Sequence, residues 1–198
     1  MAGAALAAAP PDTIALQLRE KDLEARELVE LARALRVICD RHHARLLVND
    51  RLDVAIASCA DGVHLPANSF AIADARALMG HDRLVGVSTH EPAEVISASR
   101  SGADFVAYGP VFDPISKGAH TAARGANGLI AACSAASIPV FALGGMTAAR
   151  VRELRAQFGI AKAKKAIAHP ARVAVIGAIF GSPDPTSATR DLIDALTL

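Results

Sequence analysis

Lys117 stands in the segment Tyr108-Gly-Pro-Val-Phe-Asp-Pro-Ile-Ser-Lys-Gly118, and two glycine-bearing turns follow it, Ala142-Leu-Gly-Gly-Met146 and Val175-Ile-Gly-Ala-Ile179, each at the end of a hydrophobic run. A cation combined with backbone amides that no Cβ shields is what a phosphorylated ligand requires, because peptide N–H groups reach phosphate oxygens only where the chain can approach closely. The pattern predicts an enzyme that handles phosphate.

Such groups need a scaffold that brings them to one place. Short hydrophobic runs, Ile14–Leu18, Arg45–Asn49, Gly62–Leu65, Leu84–Ser88, Phe105–Gly109, Val140–Leu143 and Val173–Ile176, alternate with segments whose apolar spacing suits helices. These segments are Leu23–His42, Leu52–Ala60, Ala71–Met79, Pro92–Arg100, Gly128–Ala136, Ala148–Phe158 and Asp184–Leu196. Alternation of this kind predicts parallel βα units with strands buried on both faces. Polar residues gather where the runs end, at Gln17–Lys21, Asn49–Asp50, His64, Ser88–His90, Gly109–Lys117, Gly144–Gly145 and Gly177. One rim carrying the chemistry predicts an α/β fold of the (β/α)8 TIM-barrel type, with phosphate held by the last loops. Only seven strands can be placed, and the chain begins in an apolar helix over residues 1–9, so the barrel is expected to lack its first strand or to open at that seam. A partner covering the seam, including a second copy in a homo-oligomer, is a further way to protect such an edge.

The 198 residues predict a single domain over 1–198, with 52% hydrophobic residues to build its core. The 21 Lys and Arg nearly cancel the 20 Asp and Glu without a long basic run, which argues against a nucleic-acid partner. The apolar opening is too short to span a membrane and has no basic leader, and Cys39, Cys59 and Cys133 show no pairing pattern, so a reducing cytoplasm is expected. The segment 157–172 interrupts the βα rhythm, and its Lys162, Lys164 and Lys165 read as a solvated face.

Taken in order and spacing, Gln17-Leu-Arg-Glu-Lys-Asp22, Leu47-Val-Asn-Asp-Arg51, Ala60-Asp-Gly-Val-His-Leu65, Gly86-Val-Ser-Thr-His90, Gly102-Ala-Asp104, Gly109-Pro-Val-Phe112 and Leu143-Gly-Gly-Met146 resemble the thiamine-phosphate synthase/TenI superfamily. The resemblance covers about residues 14–197 apart from the 157–172 segment. It implies a transferase of thiamine biosynthesis that joins a hydroxymethylpyrimidine pyrophosphate to a thiazole phosphate and releases pyrophosphate. It implies Arg19, Lys21, Asn49, Ser88, Ser116 and Lys117 around the pyrophosphate, Gln17 at the pyrimidine, and a thiazole-phosphate cradle of Gly144, Gly145, Ile176 and Gly177. Mg2+ is the implied cofactor, with Asp50 as ligand, although Asp50 also stands where it could cap helix 52–60.

Two positions depart from the synthase pattern. Pro66-Ala-Asn-Ser69 puts Ser69 where the second magnesium aspartate belongs, which predicts weaker metal binding, and Pro-x-x-Ser-Phe is closer to the TenI-type tautomerase branch. Against that branch, Pro110 occupies the position of its acid–base histidine, leaving His64, His90 or His120 as substitutes. A TenI-type thiazole tautomerase and a non-catalytic phosphate-ligand binder are therefore the alternatives. Gly118–Gly125 resembles a lid, with Arg124 either a phosphate contact or a solvated lid residue.

Overall fold

The computed structural model describes residues 1–113, 122–163 and 172–197. Seven strands, β1 (Ala15–Leu18), β2 (Arg45–Asn49), β3 (Gly62–Leu65), β4 (Leu84–Thr89), β5 (Phe105–Tyr108), β6 (Val140–Leu143) and β7 (Arg172–Ala174), form one parallel sheet in the order β1 to β7. Each step pairs neighbours in sequence, as in Leu18↔Val48, Asn49↔His64, His64↔Gly86 and Phe141↔Arg172. The sheet is a curled TIM-type barrel that stays open, since among the described residues no pairing joins β7 to β1.

Helices separate the strands: α1 (Ala2–Ala7) opens the chain, followed by α2 (Ala25–Arg41), α3 (Leu52–Ala57), α4 (Ile72–Met79), α5 (Pro92–Arg100), α6 (Gly125–Ala135), α7 (Ala148–Ala163), α8 (Gly177–Phe180) and α9 (Pro185–Thr197). Reciprocal capping boxes start two of them, Glu24 with Glu27 on α2 and Glu91 with Glu94 on α5, and Pro92 adds its preset φ at the first turn of α5. The first helix packs against α2 and α9, and the Thr186 hydroxyl of α9 donates to the Ala4 carbonyl at 3.4 Å, so the helix layer continues across the open strand seam. No helix among the described residues is long and apolar enough to cross a membrane.

Several boundaries differ from expectation by one to three residues or more, as where α3 ends at Ala57 rather than Ala60, and three of these differences bear on the site or on the irregular segment. The last strand is Arg172–Ala174, not Val173–Ile176, because Ile176 is already the N-cap of the short helix α8, which has too few residues to show a period. Helix α7 continues to Ala163, five residues past its expected end, so Lys162 lies on a helical extension, one of the forms its segment allowed, whereas Lys164 and Lys165 lie outside the described residues. Helix α6 begins at Gly125, three residues before its expected start.

Strand side chains alternate between two environments. Val48, Val63, Leu65, Val85, Val106 and Ala142 are buried under the helices, each valine or leucine contributing roughly 1.5–3 kcal/mol by leaving water. The opposite set, Gln17, Asn49, His64, Gly86, Ser88, Phe105 and Phe141, faces the barrel interior. Its floor is aromatic: the Phe105 ring lies edge-to-face on Phe141 at 5.4 Å, and the Arg172 guanidinium sits 5.7 Å from the Phe141 centroid. Phe105 fits only because residue 86 is glycine; a Cβ there would stand 2.0 Å from the ring.

The rim at the strand N-termini is held by a repeated clamp. Arg36 of α2 pairs with Asp61, whose carboxylate also accepts the Leu46 N–H at 2.6 Å, and the same guanidinium donates to the Ala44 carbonyl at 3.0 Å. Two βα units later Arg76 of α4 pairs with Asp104, which accepts the Val85 N–H at 2.7 Å, and Arg76 also donates to the carbonyls of Gly80, Arg83 and Gly102. Each clamp ties a helix to the starts of two strands, which belongs to stability rather than chemistry on this face of a barrel.

Candidate active site

The opposite rim, at the strand C-termini, holds a row of polar side chains crossing four strands. Gln17 Nε2 lies 3.1 Å from Asn49 Oδ1 and 2.9 Å from His64 Nδ1, and His64 Nε2 lies 3.2 Å from Ser88 Oγ. His64 is the buried centre of this row at 7% exposure, stacked on Phe105 with 6.1 Å between centroids. Burial, reinforced by the nearby Arg19 cation, pushes its pKa down to about 4, so the imidazole is neutral at physiological pH. Gln17, Asn49 and Ser88 are thus brought together as the sequence motifs imply. His64 is the member that sequence reasoning underrated: its inward register on Gly62–Leu65, opposite Asn49 and Gly86, is the signal that points to it.

The two-residue spacing of Arg19 and Lys21 would set both on one side of the first strand and point them inward, but that strand ends at Leu18 and they lie exposed in the loop that leads to α2. The alternation of a strand therefore does not align them. That loop is ordered by Glu20, whose carboxylate accepts the Lys21 N–H at 2.8 Å and the Asp22 N–H at 3.2 Å. Among the described residues neither Arg19 nor Lys21 enters an ion pair, which leaves both cations available beside the row.

Asp50 follows the row directly, in the left-handed region at φ 64°, and its N–H donates to the His64 carbonyl at 3.0 Å. Its carboxylate accepts a hydrogen bond from the Ser69 hydroxyl. The capping alternative for Asp50 fails, because α3 starts from Arg51 with no side-chain cap. One carboxylate with a hydroxyl against it is half of a two-aspartate site, and the described residues contain no cluster of three or more metal-ligating side chains. Magnesium takes one or two protein carboxylates together with water and substrate phosphate oxygens, so Asp50 fits it as a single anionic donor.

The glycine turn after β6 has φ values of 98° at Gly144 and 58° at Gly145, which side chains other than glycine rarely adopt. Space forbids a side chain as well: a Cβ on Gly144 would meet Pro110 at 2.6 Å, and one on Gly145 would meet the Asp113 carbonyl oxygen at 2.5 Å. The segment 110–113 crosses the turn, with Val111 N–H donating to the Leu143 carbonyl at 2.7 Å and Phe112 N–H to the Gly144 carbonyl at 3.2 Å. Arg150, a residue no motif singled out, lies 4.7 Å over the Phe112 ring and donates to the Gly145 carbonyl at 2.5 Å. Ile176 is 63% exposed at the start of α8, and Gly177 has open space where a Cβ would be, so packing does not demand glycine there.

Other candidates are engaged elsewhere. His90 Nδ1 lies 2.5 Å from the Gly109 carbonyl, which accepts only, so that nitrogen carries the proton and is spent on the backbone. Arg124 pairs with Glu91 at 2.5 Å instead of standing free on a lid. Ser116, Lys117 and His120 lie outside the described residues.

Fold and site together define the class: a parallel α/β barrel with anion-compatible side chains and a glycine turn on the C-terminal rim of its strands. The chain belongs to the thiamine monophosphate synthase family, whose model matches residues 2–179. It is 46% identical over 181 residues to a member of that family from Geobacter sulfurreducens, a match covering 91% of this chain and 80% of the relative. A thiamine-phosphate synthase of Chlorobium phaeobacteroides is 35% identical, covering 91% of this chain and 82% of its own length. Among solved structures, thiamine phosphate pyrophosphorylase from Pyrococcus furiosus superposes with a TM-score of 0.82 at 29% identity, covering 98% of this chain and 87% of the other.

Proposed function

We propose that this chain is a thiamine-phosphate synthase, joining hydroxymethylpyrimidine pyrophosphate to thiazole phosphate and releasing pyrophosphate. The observation that carries this reading is the row Asn49, Gln17, His64 and Ser88 with Asp50 beside it, set on the catalytic rim of a chain from this family. Gln17 faces the pyrimidine. Arg19, Lys21, Asn49, Ser88, Ser116 and Lys117 surround the pyrophosphate, Asp50 holds Mg2+, and Gly144, Gly145, Ile176 and Gly177 cradle the thiazole phosphate.

In this mechanism the pyrimidine C–O bond breaks first and its electron pair leaves with pyrophosphate. The thiazole nitrogen lone pair then closes the new C–N bond on the resulting carbocation. Catalysis consists of neutralising the departing charge and holding the nucleophile close, and it needs no general base. Arg19, Lys21 and Lys117 supply fixed positive charge, and Asn49 and Ser88 add hydrogen bonds. Mg2+, when bound, adds charge neutralisation at the pyrophosphate oxygens. The tautomerase alternative loses His64 as a substitute base, because that ring is neutral and engaged at both nitrogens, whereas His90, whose Nδ1–H goes to the Gly109 carbonyl, keeps the lone pair on its Nε2. A reducing cytoplasm suits the free thiols of Cys39, Cys59 and Cys133.

The test is incubation of the purified chain with both substrates, with and without magnesium, followed by quantitation of thiamine phosphate as thiochrome. Magnesium-dependent product is expected. No product from folded protein that is still thermally stabilised by either substrate would move the assignment to a non-catalytic binder.

A further inference from the structure

We propose that His64 is a positioning residue whose ring tautomer sets the hydrogen-bond direction of the whole row, so that Gln17 presents an acceptor to the substrate while Asn49 and Ser88 present donors. The substrate groups named for each position rest on the synthase reading; the direction of the row does not.

An amide nitrogen has two N–H donors and no acceptor lone pair. Gln17 Nε2 faces both Asn49 Oδ1 at 3.1 Å and His64 Nδ1 at 2.9 Å, so both partners accept. His64 Nδ1 therefore carries the lone pair, and the single proton of the neutral ring sits on Nε2, 3.2 Å from Ser88 Oγ. Ser88 accepts that bond, which leaves its own hydroxyl hydrogen to donate outward. Among the described residues, Asn49 has its oxygen occupied and no acceptor at Nδ2, and Gln17 has its nitrogen occupied and no donor at Oε1. Moving the ring proton to Nδ1 would force both amides and the hydroxyl to turn over, giving a donor at Gln17 and an acceptor at Ser88. One proton thus decides three recognition groups.

The ring is well placed to hold this direction. It is buried, it stacks on Phe105, and the carbonyl of the same residue accepts the Asp50 N–H, so neither ring nor backbone is free to turn. The polarity also matches the chemistry on each side. A ring bearing an exocyclic amino group offers hydrogens to the Gln17 acceptor, and pyrophosphate oxygens accept from Asn49 and Ser88.

The first arm of the test is a long-range 1H–15N correlation on the full chain labelled with 15N-histidine, with His64 assigned by its loss in His64→Asn. A proton on Nε2 near neutral pH is expected, and a proton on Nδ1 overturns the proposal. The second arm is kinetic. His64→Gln keeps a donor near the Nε2 position but removes the acceptor for Gln17, and it is expected to raise KM for the pyrimidine substrate about tenfold with kcat largely kept. His64→Asn keeps an acceptor near Nδ1 but removes the donor to Ser88, and it is expected to lower kcat about tenfold with KM largely kept. Equal kinetic profiles for the two variants overturn the positioning role. If the wild-type chain makes no thiamine phosphate, the synthase reading fails, and the tautomer measurement still decides the direction of the row.

Discussion

The Asp104 clamp separates the worth of a hydrogen-bond acceptor from that of a charge. Asp104→Ala removes the sole carboxylate of the clamp and leaves the Val85 N–H, on a fully buried residue, without its side-chain acceptor. An orphaned buried donor costs roughly 1–3 kcal/mol. Loss of the Arg76 pair adds about 1 kcal/mol, since three carbonyls still accept from the guanidinium and the charge is not stranded. The sum is about 3 kcal/mol, which for a chain of this size lowers Tm by roughly 10 °C. Asp104→Asn keeps an acceptor for Val85 and loses only the charge, so its cost is about 1 kcal/mol. Urea unfolding followed by circular dichroism measures both variants. Equal destabilisation by Ala and Asn would refute the idea that the Val85 hydrogen bond, not the ion pair, carries most of the clamp.

Ser69→Asp places a second carboxylate beside Asp50 and is expected to lower the magnesium concentration needed for half-maximal synthesis at least tenfold; an unchanged titration would separate residue 69 from the metal. Gly144→Ala forces a Cβ to 2.6 Å from Pro110 at φ 98°, so it is expected to cost roughly 2 kcal/mol in chemical denaturation and to raise KM for the thiazole phosphate. Lys117→Ala removes the positive charge proposed to stand beside the leaving pyrophosphate and is expected to slow turnover at least tenfold, with unchanged turnover sinking that role. His64 has a folded-state pKa of about 4 below its ordinary 6.5, so the stability tied to its neutral form is present above pH 6.5 and lost as pH falls toward 4. The loss between pH 7 and pH 5 is about 2 kcal/mol, measured as the difference in pH dependence between wild type and His64→Asn in metal-free buffer.

Strand positions are legible in the sequence because both faces of each strand are buried, so short hydrophobic runs such as Arg45–Asn49, Gly62–Leu65 and Val140–Leu143 coincide with strands to the residue. Arg19 and Lys21 show where this stops: the residue types are visible, but the end of the strand at Leu18, which decides whether they share a face, is not. The role of His64 is hidden for a different reason, because Asn49, Gln17 and Ser88 come from three separate βα units and meet only through strand register. The engagement of Arg124 by Glu91 is likewise a contact between distant segments that no local pattern announces.

The ring of Phe105 occupies the volume that a side chain at position 86 would need. These two residues cannot drift independently: a branched side chain at 86 becomes tolerable only after 105 has shrunk, and a small residue at 105 alone leaves a void beneath His64. Along any lineage descending from this chain the two positions should change as a pair, with the order of substitution running through the smaller intermediate at 105. The floor of the catalytic chamber is therefore inherited as a unit, and remodelling the chamber for a bulkier ligand starts from the double replacement rather than from either site alone.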